Sequence, residues 1–333
     1  MIDFVRKFSA EAGTIREIRS RLSEPMGLVE QELSRLFHED ELLLGKVFRP
    51  LKRHVGKRLR PLLVLLSAEC FTSDLSRAVK VAACAEMVHT ATLIHDDVVD
   101  RSNLRRGMAT LNSTWGNKVA VLAGDSVFTK ALDLLVDQQS FRLLKSMTYM
   151  FTEMANGEIL QILNYYNADV TMEDYIQRIK RKTALFLAYC CEAGAVLAGA
   201  SEEEIEALKE YGLKMGLAFQ VADDLLDFIG DESKVGKPVC SDLREGNVTL
   251  PVIHALQTSA GEEIRQIIEA DEITGDDIKT ILALLEREKS LEYAYEVAEN
   301  YVKEAIAALD ILEPSQAKKD LVKVAWYALH RQY

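Results

Sequence analysis

An all-α fold is predicted by three observations: the placement of proline, the period of the apolar residues and the lack of strand patterns. The prolines are Pro25, Pro50, Pro61, Pro238, Pro251 and Pro314, and none lies between residues 62 and 237. Proline removes a backbone donor and clashes with the preceding turn, so a proline-free span of that length, rich in Ala, Leu, Glu and Lys, suits stacked long helices. Within it, Ile205, Leu208, Gly212, Met215, Phe219, Ala222 and Leu226 recur at spacings of three and four, which is one helical stripe. Ser201 with Glu204 forms a capping-box pattern at its start. Similar helical patterns run near residues 74–100, 116–137, 139–165 and 171–197. No run alternates like a strand, and Gly246 with Asn247 reads as part of a polar loop. The expected organisation is one domain over residues 1–333, with a motif-bearing helical core at about 50–251 and shorter helices over 252–333.

Composition narrows the function. The 333 residues carry 40 Lys+Arg against 52 Asp+Glu, a net charge of −12. An acidic surface argues against a nucleic-acid partner, which needs a basic stripe to displace counterions, yet a phosphate ligand needs only local positive charge. Hydrophobic residues at 48% exclude a disordered chain. The most apolar stretch, residues 185–200, contains Glu192 and is too short for a membrane span, so it reads as a core helix. The first residues show no apolar leader. The five cysteines are odd in number and include no CxxC pair, which supports neither a disulfide framework nor a thiolate zinc site. The cytoplasm is the expected compartment.

Two short segments carry the chemistry. Asp96-Asp97-Val98-Val99-Asp100 and Asp223-Asp224-Leu225-Leu226-Asp227 are both DDxxD, each near the end of an apolar helix. Residues four apart share a helical face, so Asp96 with Asp100 and Asp223 with Asp227 set carboxylates side by side, which destabilises a helix unless a cation compensates. Hard oxygen donors suit Mg²⁺ or Mn²⁺. The Leu-Leu after the second pair does not fit an EF-hand loop. His89 and Gln220 each lie seven residues ahead of an aspartate, about 20° off the same face. The helices therefore carry the polar stripes His89–Asp96–Asp100 and Gln220–Asp223–Asp227.

Basic residues accompany both clusters. Gly56-Lys57-Arg58-Leu59-Arg60-Pro61 sets three cations in a turn, and Arg105 and Arg106 follow the first aspartates. Lys182 precedes Thr183 inside an apolar helix, where a buried lysine requires an anionic partner. Lys234 and Lys237 follow the second aspartates. Such cations in an acidic protein suggest two polyanions in one cavity, one held through metal and one by Lys and Arg alone.

Together GKRLRP, HTATLIHDDVVD, RRG, the Lys182-Thr183 pair, FQVADDLLD and DLREGNVTLP, in that order over residues 56 to 251, resemble the trans-isoprenyl diphosphate synthases, the polyprenyl synthetase family. The resemblance implies an isoprenoid synthase helical bundle around a deep central cavity, usually a homodimer. It implies three Mg²⁺ ions, with Mn²⁺ able to substitute, and a metal set of Asp96, Asp100, Asp223 and Asp227, the last acting by hydrogen bonding or through water. By matched position Lys57, Arg60, His89 and Arg106 would bind isopentenyl diphosphate. Arg105, Lys182, Thr183, Gln220 and Lys237 would bind an allylic diphosphate. Asp96, Asp100, Lys182, Thr183 and Asp223 would carry catalysis, with the departing diphosphate as the base.

Two departures from the family pattern bear on substrate and product. Asn247 stands where many members have Lys or Arg, which removes one charge-assisted contact and weakens allylic affinity. Ala91 and Thr92 stand where farnesyl and geranylgeranyl synthases place a bulky aromatic that closes the cavity floor. Small residues leave it open, with Phe128 and Leu132 as a deeper floor, so a product of about C30–C50, octaprenyl-like, is expected. The competing readings are a short-chain synthase, the catalytic subunit of a heteromeric synthase and a class I terpene cyclase. The intact Lys57, Arg60 and DDLLD favour the transferase over the cyclase.

Overall fold

Apolar stripes and caps set the helices, which the computed structural model describes over residues 13–38, 47, 56–105, 107–229, 239–270 and 273–330. Helices α1 (Thr14–Arg21) and α2 (Ser23–His38) place Ile15, Ile18, Leu22, Met26, Val29 and Leu33 at three- or four-residue spacing, and all six are buried. Helix α3 (Leu59–Glu69) is buried over residues 62–66, as a helix apolar all round must be. Helix α4 (Ser76–Val99) leads through paired strands β1 (Leu104–Arg105) and β2 (Met108–Ala109) into α5 (Leu111–Trp115). This hairpin corrects the expectation of no strand. Two residues a side are too few for alternation to register in the sequence.

The expected long helices follow. They are α6 (Asn117–Val136), α7 (Phe141–Leu163), α8 (Met172–Ile179), α9 (Leu185–Leu197) and α10 (Glu202–Ile229). Ser201 and Glu204 form the reciprocal cap at the start of α10: Ser201 Oγ accepts from the Glu204 N–H at 3.3 Å, and Glu204 accepts from the Ser201 N–H at 2.8 Å. Between α8 and α9 a π-turn, Lys180–Ala184, interrupts what the periodicity reads as one helix. Helix α9 is buried, and its Glu192 is satisfied by Ser146 Oγ at 3.0 Å and Arg142 Nε at 3.4 Å. Shorter helices complete the chain: α11 (Ser241–Arg244), α12 (Leu250–Leu256), α13 (Gly261–Ile268), α14 (Gly275–Arg287), α15 (Ser290–Ala308) and α16 (Gln316–His330). The loop at Gly246 is less polar than expected: Gly246 lies buried against the Tyr166 ring, and Val248 and Thr249 are buried.

Helix α10 packs against α9 and α15, α9 against α3, and α4 against α6, so one buried cluster reaches from Ile15 to Leu329. Charge then ties the two ends of the chain together. Arg21 Nη2 donates to Glu69 at 2.7 Å, and Arg21 Nε donates to Asp320 at 2.9 Å. The Asp320 side chain is 2% exposed, so losing Arg21 leaves a buried charge to Gln316 Nε2 at 2.9 Å and the more distant Lys323 Nζ at 3.6 Å. Arg21→Ala should lower stability by about 1–3 kcal/mol in urea unfolding; a change within a few tenths would show that the clasp carries no load.

Candidate active site

The carboxyl end of α4 gathers the first acidic group. Asp97 is buried and accepts from Arg105 Nε at 2.7 Å, while its carbonyl accepts from the Ser102 N–H at 2.9 Å and Asn112 Nδ2 at 3.1 Å. The middle aspartate therefore ties down the loop that follows the helix and holds Arg105 beside the acids. Burial pushes the Asp96 carboxyl up to about 6; Lys182 and Arg105 pull it back, while Glu158 and Asp100 push it further.

Lys182 reaches this group from the π-turn. Its Nζ lies 2.7 Å from Glu158 and donates to Gln161 Oε1 at 3.1 Å, so the lysine has the anionic partner that its burial demands. Burial alone would lower its pKa, yet Glu158, Asp96 and Asp100 together raise it above the ordinary value. Two glycines let neighbouring helices close on the turn. A Cβ on Gly157 of α7 would lie 2.9 Å from Arg181 Cβ, and one on Gly216 of α10 would lie 2.6 Å from Ala184 Cα. π-turns interrupt the regular hydrogen-bond ladder and are frequent at functional sites.

Thr183 carries the connection to the second acidic group. Its Oγ1 donates to Gln220 Oε1 at 2.8 Å, and Gln220 Nε2 donates to Asp224 Oδ1 at 2.9 Å. Tyr175 Oη donates to Asp224 Oδ2 at 2.7 Å. Burial pushes Asp224 up to about 6 against those two hydrogen bonds and the charge of Arg178. Asp227 accepts from the Ser241 N–H at 3.0 Å, Ser241 Oγ at 2.8 Å and the Asp242 N–H at 3.1 Å, and so anchors the start of α11. Asp242 is thereby brought beside Asp223, Asp224 and Asp227, and burial with those charges holds its carboxyl well above the usual range.

The basic turn lies at the start of α3. Arg60 is half-buried, its guanidinium centre 4.8 Å from the Phe186 ring, and Lys57 Nζ stands 5.6 Å from the Tyr327 ring. Arg58, grouped with them in the sequence, turns away: Nε and Nη2 donate to Glu30 at 2.7 and 3.0 Å, and Nη1 to Glu86 at 2.7 Å. That removes it from the cations open to a ligand. His89 is half-buried, and its carbonyl accepts from Thr92 Oγ1 at 2.9 Å. Ala91 is buried, and Phe128 meets Phe151 edge-on at 4.4 Å between centroids. Arg106, Lys234 and Lys237 lie outside the described residues.

Sequence reasoning missed Glu158, Gln161, Tyr175, Asp242, Glu30 and Glu86. The only signals were local. Glu158 and Gln161 are three apart on one helix, and Glu86 sits three residues ahead of His89 on the polar face of α4.

The polyprenyl synthetase family model matches residues 41–285. The chain is 36% identical to heptaprenyl diphosphate synthase component 2 of Geobacillus stearothermophilus over 321 residues, 96% of this chain and 99% of that one. It is 35% identical to octaprenyl diphosphate synthase of Haemophilus influenzae over 322 residues, 96% and 98% of the two chains. The polyprenyl synthase of Caulobacter crescentus, solved with calcium and isoprenyl diphosphate, superposes with a TM-score of 0.89 at 33% identity, covering 97% of this chain and 100% of that one.

Crowded acids carry a pH consequence. A carboxyl whose folded pKa lies above the ordinary value of about 3.9 favours the fold while protonated, and that contribution is lost as pH rises through about 6. Without divalent ions the protein should melt higher at pH 5 than at pH 7, and Asp96→Asn should shrink the difference. The Asp96 share is at most about 3 kcal/mol. A metal-free melting temperature equal at the two pH values would show that burial and neighbouring acids do not hold these carboxyls above their ordinary range.

Proposed function

The chain belongs to the polyprenyl synthetase family, and from that we propose that it elongates an allylic diphosphate with isopentenyl diphosphate, as a divalent-metal-dependent prenyltransferase making a long all-trans chain. The carrying observation is that adjacent residues serve both acidic groups: the charge of Lys182 acts on Asp96, while Thr183 is hydrogen-bonded through Gln220 to Asp224.

The oxygen donors fit Mg²⁺. Asp96 already suffers for its charge in the metal-free protein, and Mg²⁺ usually completes its shell with water and substrate phosphates. Asp96, Asp100 and Asp223 would hold the ions, with Asp227 in support because its oxygens already anchor α11. Ions held there would supply positive charge to offset what develops on the departing diphosphate. Lys182, Arg105 and Lys237 would grip that allylic diphosphate, with Thr183 and Gln220 beside it. Lys57, Arg60, His89 and Arg106 would hold isopentenyl diphosphate with its double bond toward the allylic carbon. The allylic C1–O bond breaks, the double bond attacks C1 to form the new C–C bond, and the adjacent carbon loses a proton to the departed diphosphate. The cation is protected by excluding water, and the dipoles of Thr183 and Gln220 steady it.

Product length rests on the floor. Ala91 is small and would leave the α4 side open, and the Phe128–Phe151 pair between α6 and α7 would close it deeper, which is the basis for about C30–C50. The long-chain reading also agrees with the heptaprenyl and octaprenyl names of two relatives. The name of the first, a component 2, favours one second reading, the catalytic subunit of a two-part synthase. A homodimer is supported by the apolar stripe that α7 leaves uncovered, with Phe141, Tyr149, Ile159 and Leu163 between 55% and 88% exposed, beside Leu122 and Val136 of α6. The cytoplasm fits five free cysteines, and no described helix is long and apolar enough to cross a membrane.

Purified chain given Mg²⁺, labelled isopentenyl diphosphate and an allylic primer should release labelled polyprenyl diphosphate, resolved by chromatography. A cyclic hydrocarbon from the primer alone would assign a cyclase instead, and turnover only on adding a second protein would assign the two-part enzyme. Asp96→Ala or Asp223→Ala should cut turnover by about three orders of magnitude or more; near-normal rates would remove those residues from the metal set. Ala91→Phe should shorten the product, and an unchanged distribution would place the floor elsewhere.

A further inference from the structure

The basic turn contains a cation that the substrate cannot use. Arg58 begins α3 in a left-handed conformation, φ 56° and ψ 39°, which residues with a Cβ seldom adopt. All three of its guanidinium nitrogens are engaged, two by Glu30 and one by Glu86, and its side chain is 11% exposed. Glu86 is the more buried partner, its side chain 7% exposed, and a carboxylate so placed requires a cation. Two cations are within its influence. Arg58 takes it at 2.7 Å, while Arg60 two residues on feels its charge. Arg60 Nε is buried and has no hydrogen-bond partner among the described residues, and its guanidinium is packed against Phe186.

Resting on the reading of Arg60 as an isopentenyl diphosphate ligand, we propose that Arg58 is a positioning residue: by engaging Glu86 it keeps that buried carboxylate off Arg60, so that Arg60 remains open to the diphosphate. Glu30, from α2, takes Nε and Nη2 and so fixes the guanidinium with Nη1 directed at Glu86. Glu86 shares the polar face of α4 with His89, so the same rigid helix that bears the acids also supplies the anion that must be kept occupied. Removing Arg58 would turn Glu86 toward Arg60 and quench the site with the protein's own carboxylate.

The test is rescue. Initial rates with purified full-length chain, Mg²⁺ and saturating primer should show Arg58→Ala raising the KM for isopentenyl diphosphate about tenfold with kcat and the primer KM little changed. Adding Glu86→Gln should bring that KM most of the way back, since the quenching anion is gone. Glu86→Gln alone should leave the KM at or below that of the parent, which decides the matter even if Arg58→Ala fails to fold. A double variant as impaired as Arg58→Ala, or a Glu86→Gln variant with a raised KM, would overturn the proposal. The parent enzyme serves as the control for the proposed reaction: if it incorporates no isopentenyl diphosphate, that reaction fails, whereas an active parent with no rescue condemns only the role of Arg58.

Discussion

Like charges brought together out of water are the constraint on which this molecule turns. Asp96, Asp97, Asp100, Asp223, Asp224 and Asp227 are concentrated at the ends of α4 and α10, with Asp242 beside the second group, and the fold answers several of them differently. Asp97 has Arg105, Asp224 has the Tyr175 hydroxyl and the Gln220 amide, Asp227 has two backbone N–H groups and the Ser241 hydroxyl, and Asp242 has its carboxyl held well above the usual range. Asp96 shares the influence of Lys182 with a second acid, Glu158, and burial holds its carboxyl above the ordinary range. A site held in that condition is ready for cations that arrive with a polyanion, because every arriving positive charge relieves repulsion already present.

The π-turn translates this electrostatics into architecture. From adjacent residues it directs Lys182 to Glu158 and Thr183 to Gln220, at a point where the regular hydrogen-bond ladder is interrupted. Glycine on both sides lets α7 and α10 approach closely enough for those two side chains to reach their partners.

Much of this was legible in the sequence. Long helices follow from the period of apolar residues and from proline placement, and even α1 and α2, which were not singled out, carry the stripe from Ile15 to Leu33. The aspartate clusters and the basic turn could be read because their residues are close in sequence. Glu158, Tyr175 and Glu30 could not, since each acts on a residue far along the chain and no spacing records a tertiary contact. Arg58 misled for a related reason: composition shows a third cation in the turn, while only the fold shows that two distant glutamates have taken it. The π-turn left no mark because one extra residue in a helical turn hardly disturbs an apolar period.

The clasp made by Arg21 joins residues 299 positions apart. On the ribosome α1 therefore emerges long before its acidic anchor on α16 exists. It can rest provisionally on α3 through Glu69, but that grip is completed only when α16 is released. Docking of α1 onto α16 is thus a late event, and a nascent chain halted before residue 320 would hold α1 by one acid instead of two.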